Sequence, residues 1–200
     1  MKETNLTAAA YDCFIGIFNI LGIKKWRAKL WNEVKGPRIL DAGAGTGFNI
    51  PYYQPGWRIV ALDKSELFLE RARRRALGKN VEIEFVLGDV QELPYEEAAF
   101  DSAISTFLLC QLNHPRKALK ELHRVLKPGG QLLLLEHVRS QGGWGRLMDS
   151  LSTPIYRVCG DHIARDPVLL VKECGFRIIK KENLLMDVVK FIKIEKGEAF

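Results

Sequence analysis

Cysteine is sparse and unpaired in this chain. The four residues, Cys13, Cys110, Cys159 and Cys174, are scattered with no C-x-x-C spacing. That distribution excludes a disulfide framework and leads us to expect free thiols in a reducing, cytoplasmic setting. No group of His and Cys shows metal-ligand spacing, so no metal is expected. Long apolar runs are missing as well. The longest, Cys13–Ile23, has eleven residues and is interrupted by Gly16, Asn19 and Gly22, whereas a bilayer-spanning helix needs about 20. No basic region precedes that stretch and no A-x-A-like site follows it, so no signal peptide is expected. Repeats and low-complexity tracts are absent. At 47% hydrophobic and 27% charged residues, the composition excludes a disordered chain and fits a folded domain.

Two hundred residues suit a single domain, 1–200, with a core large enough to need no staples. From residue 36 onward, apolar strands alternate with amphipathic helices, which indicates βαβ units around a parallel sheet. Strands are expected at Arg38–Ala42, Arg58–Leu62, Glu82–Leu87, Ser102–Thr106 and Gln131–His137. Helices fit Ser65–Ala76, with Ser65 as N-cap, and His114–Leu126, with Asn113 capping and Pro115 in the first turn. Lys127-Pro128-Gly129-Gly130 reads as the turn into the fifth strand. Asp166 and Pro167 open a last helix to about Glu173, and Phe176–Lys180 and Asp187–Ile194 close the chain as a β-hairpin. The expectation is an α/β fold with a seven-stranded, mostly parallel sheet and one antiparallel edge strand. Residues 1–35 form a helical segment ahead of the core at 36–194, and residues 139–166 an insertion. Ligands of such sheets bind at the carboxyl ends of the strands, so both segments are assigned to the substrate side.

The most informative segment runs from Ile39 to Phe48. A short apolar strand ends in Asp41, and Gly43, Gly45 and Gly47 then alternate in a G-x-G-x-G pattern. The dinucleotide fingerprint G-x-G-x-x-G would need glycine where Phe48 stands, so the loop points away from NAD. Three further groups fall at successive strand ends. Asp63, twenty residues beyond Gly43, stands where a carboxylate accepts hydrogen bonds from ribose hydroxyls, or else caps the following helix. Asp89 and the Val90 N–H suit an exocyclic amine and a ring nitrogen, with a plain turn as the alternative for Asp89. Thr106 and Phe107 lie at the cleft centre, where strand-end packing serves them equally well. A ligand built of adenine, ribose and an amino-acid tail satisfies all four.

These pieces, Ile39–Gly47, Leu62-Asp63, Gly88-Asp89-Val90, Phe100-Asp101-Ser102-Ala103 and Leu126–Gly130, resemble the class I S-adenosylmethionine-dependent methyltransferases over residues 36 to 194. The resemblance implies a Rossmann-like, doubly wound sheet of order 3-2-1-4-5-7-6, with S-adenosylmethionine as donor and S-adenosylhomocysteine as product. It implies Gly43, Gly45 and Gly47 beneath the methionine part, Asp41 orienting its ammonium, and Asp63 on the ribose. It also implies Asp89 and the Val90 backbone on adenine, and a Thr106 carbonyl near the ammonium. Lys64 replaces the apolar residue often found beside the ribose carboxylate, and its stem can still pack on adenine. Thr106–Cys110, Leu135–Val138 and Trp144 are similar to a narrower branch, the type 11 group with thiol and phospholipid methyltransferases. The Cys159-Gly160-Asp161-His162 and Arg165 segment departs from that branch in placing cysteine before glycine.

Methyl transfer from a sulfonium needs alignment in a dry cleft more than a catalytic triad, and a base only where the acceptor is protonated. His137, on the functional edge, is a candidate base or positioning group, or a histidine satisfied by backbone. Tyr11 suits cation–π cover of the sulfonium or packing in the N-terminal helix, and His162 completes the candidates. The net charge of +6 gathers in Lys24–Arg38 and in Arg71–Lys79. Basic residues interleaved with Trp26 and Trp31 suit an anionic membrane surface contacted through residues 14–31, or a lid over the cofactor with a solvated end. The expected function is methylation of N or S on a small apolar or lipid-like acceptor, a thiol or a phospholipid amine, at the inner membrane face. A quinone-precursor C-methyltransferase and a non-catalytic S-adenosylmethionine-binding or RNA-associated protein are the alternatives. Nucleic acid is disfavoured, because no N-P-P-Y-type motif follows the fourth strand.

Overall fold

The computed structural model describes residues 22–138, 167–185 and 188–197. Within them the chain runs α1 (Lys24–Asn32), β1 (Arg38–Ala42), a 3₁₀ turn (Ile50–Tyr52), β2 (Arg58–Asp63), α2 (Glu66–Ala76), β3 (Glu82–Leu87) and β4 (Phe100–Thr106). It continues through α3 (Pro115–Val125), β5 (Leu126–His137), α4 (Pro167–Glu173), β6 (Phe176–Leu185) and β7 (Val189–Lys196). The strands form one sheet in the order β3-β2-β1-β4-β5-β7-β6. The first five strands pair in parallel. β7 pairs antiparallel with both β5 and β6, so the late hairpin supplies the antiparallel side of the sheet.

The core has two layers, sorted by the two-residue period of the strands. Leu40, Val60, Ala103, Leu132, Leu134 and Ile192 face one way, against Ala118, Leu119, Leu122 and Val125 of α3 and Val171 of α4. Ile39, Ile59, Ile104, Leu133, Leu135 and Phe191 face the other way, against Leu30 and Trp31 of α1 and Ala72 of α2. Central β1 is buried from Ile39 to Ala42 because both of its faces are covered, whereas edge strand β3 mixes partly buried with exposed residues.

Local signals fix the helices. The Ser65 hydroxyl accepts from the Phe68 N–H at 3.3 Å and caps α2. Glu66 in its first turn and Arg73, Arg74 and Arg75 in its last complement the helix dipole. α3 differs from the sequence expectation: its N-cap is His114, which makes no side-chain capping bond, and Pro115 at the first position sets the start. The supposed turn at Lys127–Gly130 is an irregularity within β5. Leu126 already pairs with Phe100, and the register resumes at Ser102 with Gln131.

α1 is integrated into the fold rather than appended to it. Arg27, Leu30 and Trp31, at i, i+3 and i+4, are buried. Trp31 packs 4.7 Å from the Tyr53 ring and 6.0 Å from Trp57. Past the helix end, Glu33 accepts from Lys193 Nζ at 2.7 Å and Lys180 Nζ at 3.2 Å, tying α1 to the hairpin. The interface reading of this segment is therefore corrected for two of its residues: Arg27 and Trp31 point inward, and Lys24 and Lys25 remain on the outer face. Residues 14–21 of that reading lie outside the described residues.

Candidate functional site

The carboxyl ends of β1, β2, β3 and β4 open onto one cleft. Gly43, Gly45, Asp63, Lys64, Asp89, Val90 and Thr106 line it together, with Phe107, Leu108 and Gln111. The glycine loop turns at once after β1: the N–H groups of Gly43 and Ala44 both donate to the Leu62 carbonyl, at 2.8 and 2.9 Å. Gly43 has φ +72°, and a Cβ there would lie 2.8 Å from Leu108 Cδ1. The positive φ favours glycine here, and a side chain would also have to push Leu108 aside.

Asp63 holds the loop from the neighbouring strand. Its Oδ2 accepts from the Gly45 N–H at 2.8 Å and its Oδ1 from the Ser65 N–H at 3.0 Å. The carboxylate thus orients the cleft rim while its residue keeps 9% exposure, facing the site. Asp89 is exposed and accepts from the Gln91 N–H at 2.8 Å, an Asx-type turn that presents it at the end of β3. Val90 is buried beside it.

Two of the expected cofactor contacts do not line the cleft. Asp41 is fully buried and saturated by protein groups. It accepts from Asn49 Nδ2 at 2.9 and 3.0 Å and from the Tyr53 hydroxyl at 2.6 Å. Desolvation pushes its pKa up to about 6, against the pull of Tyr53, Asn49 and the Arg27 guanidinium. The phenol of Tyr53 is in turn pushed well up by burial and by Asp41. Gly47 faces the helix layer: a Cβ there would meet Ile50 Cδ1 at 2.6 Å and Ala72 Cα at 2.9 Å. Its role is close packing of the loop on α2.

Arg27 is the residue sequence reasoning missed. It is 4% exposed, and its Nη1 donates to Thr106 Oγ1 at 3.0 Å and to Asn49 Oδ1. Asn49 Nδ2 also lies 3.3 Å from Thr106 Oγ1. A buried cluster of Arg27, Asp41, Asn49, Tyr53 and Thr106 therefore sits behind the cleft wall. The available signal was the shared helix face of Arg27, Leu30 and Trp31, masked by the surrounding lysines.

On the opposite sheet face, Glu136 organises the segment after β4. This fully buried carboxylate accepts at Oε1 from Ser105 Oγ at 3.2 Å and from the Leu108 and Leu109 N–H groups at 3.0 Å each. Its Oε2 has no partner among the described residues, and burial raises its pKa to about 7. Between the two networks sits Phe107, a non-glycine residue at φ +56°. Its N–H donates to the Leu135 carbonyl at 2.8 Å, and its ring lies 5.8 Å from the Arg27 guanidinium. Backbone in this sparsely populated region persists only where the surroundings over-determine it.

His137 packs its ring 4.7 Å from that of Phe107, which lines the cleft, while His137 itself does not. Burial pushes its pKa down to about 4, and its Nδ1 has no partner among the described residues. At neutral pH it is an uncharged imidazole. Tyr11 and His162, with Arg139, Trp144, Cys159 and Arg165, lie outside the described residues. Among the described residues no three His, Cys, Asp or Glu side chains converge on a metal-sized site, and no helix is long and apolar enough to cross a membrane.

A family model described as a methyltransferase domain matches residues 40–134. Over 133 residues the chain is 37% identical to a demethylmenaquinone methyltransferase of Renibacterium salmoninarum, covering 64% of this chain and 54% of that one. Over 147 residues it is 30% identical to the human thiol S-methyltransferase TMT1B, covering 68% and 60%. The chain thus spans little more than half the length of these relatives. A solved protein from Bacillus halodurans C-125, provisionally assigned as a methyltransferase, aligns with a TM-score of 0.73 over 86% of this chain and 98% of that one. The sequence identity to it is 19%, a likeness of fold alone.

Proposed function

Because this chain belongs to the class I S-adenosylmethionine-dependent methyltransferases, we propose that it moves a methyl group from S-adenosylmethionine to the sulfur of a small apolar thiol. The donor assignment is carried by one observation: the cleft gathers the Asp63 and Asp89 carboxylates and the side-chain-free surface of Gly43 and Gly45 at adjacent strand ends. That donor set suits the group. Asp63 would hold the ribose hydroxyls, Asp89 and the Val90 N–H the adenine edge, and the glycine loop the methionine part. Lys64 lines the same wall, where its stem would pack on adenine. Bound there, S-adenosylmethionine supplies a methyl group already activated on a sulfonium.

The chain's own task is then alignment and exclusion of water. Phe107, held by the Leu135 carbonyl, and Leu108, held by Glu136, present an apolar wall beside the donor. His137 supports sulfur over an amine as acceptor. With its pKa near 4 it does not take a proton from an ammonium group, whereas a thiol ionises closer to neutrality and needs less help. It can accept a hydrogen bond from S–H and so position the acceptor. The 37% identity to a demethylmenaquinone methyltransferase favours a second reading, methylation of a quinone-precursor carbon. Presentation of the acceptor at an anionic lipid surface is a further part of the proposal, resting on the outward Lys24 and Lys25.

Calorimetric titration with S-adenosylmethionine tests the donor: wild type should bind, and Asp63→Ala should lose binding at least tenfold. Absence of binding by wild type would overturn the assignment. Uptake of labelled methyl by alkyl thiols, ethanolamine lipids and quinone precursors separates the acceptors. Co-sedimentation with anionic liposomes that survives neutralisation of Lys24 and Lys25 would remove the membrane component.

A further inference from the structure

α1 contributes to the cleft without touching a ligand. Its Arg27 side chain passes beneath the wall and donates to Thr106 Oγ1, at the end of β4, and to Asn49 Oδ1, just beyond the glycine loop. Asn49 binds both oxygens of Asp41, at the end of β1. We infer that Arg27 is a positioning residue of the donor site, and that docking of α1 and occupation of the cleft are coupled through the Arg27, Asn49, Asp41 and Thr106 cluster. The inference rests on the reading of the cleft as the donor site.

The physical reason is the cost of separating the cluster. Asp41 is completely buried, and the Arg27 guanidinium, reaching it through Asn49, adds to the hydrogen bonds of Tyr53 and Asn49 in easing its charge. Breaking a buried pair by removing one partner is far more costly than never having built it. When α1 leaves, Asp41 loses the nearby guanidinium charge, and Asn49 Oδ1 and Thr106 Oγ1 lose a donor. Those two side chains belong to different segments of the cleft rim: Asn49 follows the glycine loop at Gly47, and Thr106 precedes the strained Phe107. Undocked α1 therefore loosens the glycine loop and the β4 corner together. A ligand that orders both segments must, by reciprocity, favour the docked helix. The first turn of α1 is held less firmly than its end, which Lys29 and Glu33 tie to the hairpin. Lys24 and Lys25 are exposed, and Tyr52 holds the first turn through one hydrogen bond to the Lys24 carbonyl, at 3.0 Å.

The test uses the full chain, with S-adenosylhomocysteine as probe, and three variants: Arg27→Met, Arg27→Lys and Arg27→Met combined with Asp41→Asn. Affinity is read by calorimetry, exchange of the amides of residues 24–32 by mass spectrometry, and folding by thermal melting. In wild type the probe should slow exchange across α1. Arg27→Met should weaken the probe about tenfold or more, within the usual range of coupling, and abolish that protection. Adding Asp41→Asn should recover part of the affinity, because it removes the stranded charge, which a merely structural arginine would not predict. Wild-type exchange that ignores the probe, or a folded Arg27→Met protein that binds within twofold of wild type, overturns the inference. If Arg27→Met fails to fold, the wild-type exchange and the charge-retaining Arg27→Lys decide: unchanged α1 protection in Arg27→Lys supports the coupling, and its absence in wild type refutes it. No binding by wild type would instead overturn the donor-site reading itself.

Discussion

Replacing Glu136 by glutamine should change the pH dependence of stability in a defined window. The native carboxyl keeps its proton until about pH 7, while the same group in the unfolded chain releases it at about 4.5. Between those values the native state holds more protons, so stability falls as pH rises. The shift corresponds to a loss on the order of 3 kcal/mol across the window. His137 acts in the opposite sense. Its native pKa of about 4 lies below the unfolded value of about 6.5, so its contribution rises with pH between the two. The wild-type profile is therefore flattened over most of the range, and Asp41, raised to about 6, adds a further fall as pH rises from about 4 to about 6. The Glu136→Gln variant keeps an acceptor for Ser105, Leu108 and Leu109 but carries no charge. Its stability relative to wild type, from urea unfolding at half-unit steps between pH 4.5 and 8, should increase with pH up to about 7 and then level off. A difference that stays constant with pH would refute the reasoning that this carboxyl is buried and ionises late.

Gly47→Ala should destabilise by about 2–4 kcal/mol, because φ is +88° and the new Cβ would meet the Ala72 backbone at 2.9 Å. Thermal melting checks it, and the melting point should drop even without ligand. Trp31→Ala should cost about 3–5 kcal/mol by emptying the packing between α1, Tyr53 and Trp57; a loss under 1 kcal/mol in urea unfolding would contradict the inward placement. His137→Phe should gain on wild type as pH falls from 6.5 toward 4, since the phenylalanine has no proton to refuse, and should lose methyl transfer to thiols while retaining donor binding. Equal transfer rates for the two proteins would remove His137 from the acceptor side.

Much of this architecture is legible in the residues because the local signals are unambiguous. The β1 and β3 runs are bounded by glycine and aspartate, and Ser65 sits ahead of a clear amphipathic helix. The start of β5 is hidden, because Lys127-Pro128-Gly129-Gly130 has turn chemistry although Leu126 pairs with Phe100 before the bulge. Asp41 is the instructive case. Strand alternation places it on the face of Ile39, toward α1, and its motif position alone does not reveal that Asn49 and Tyr53 fill its coordination. Arg27 looks like one more solvated charge, since nothing local announces a partner 79 residues away at Thr106. Long-range polar pairing of this kind has no period and so leaves no trace in a hydrophobic pattern.

Strand parity at the ends of β4 and β5 has a mechanical consequence. Ser105 and Glu136 belong to one face of the sheet, Thr106 and Arg27 to the other. Phe107 and Leu108 are thus gripped as in a vice, one jaw anchored in each layer of the protein. Arg27 and Glu136, which anchor the two jaws, do not line the cleft, yet each sets how far that corner can travel. Selection acting on acceptor choice can accordingly retune the cleft from either layer, while a single-residue insertion in β5 would exchange the jaws and release the corner altogether.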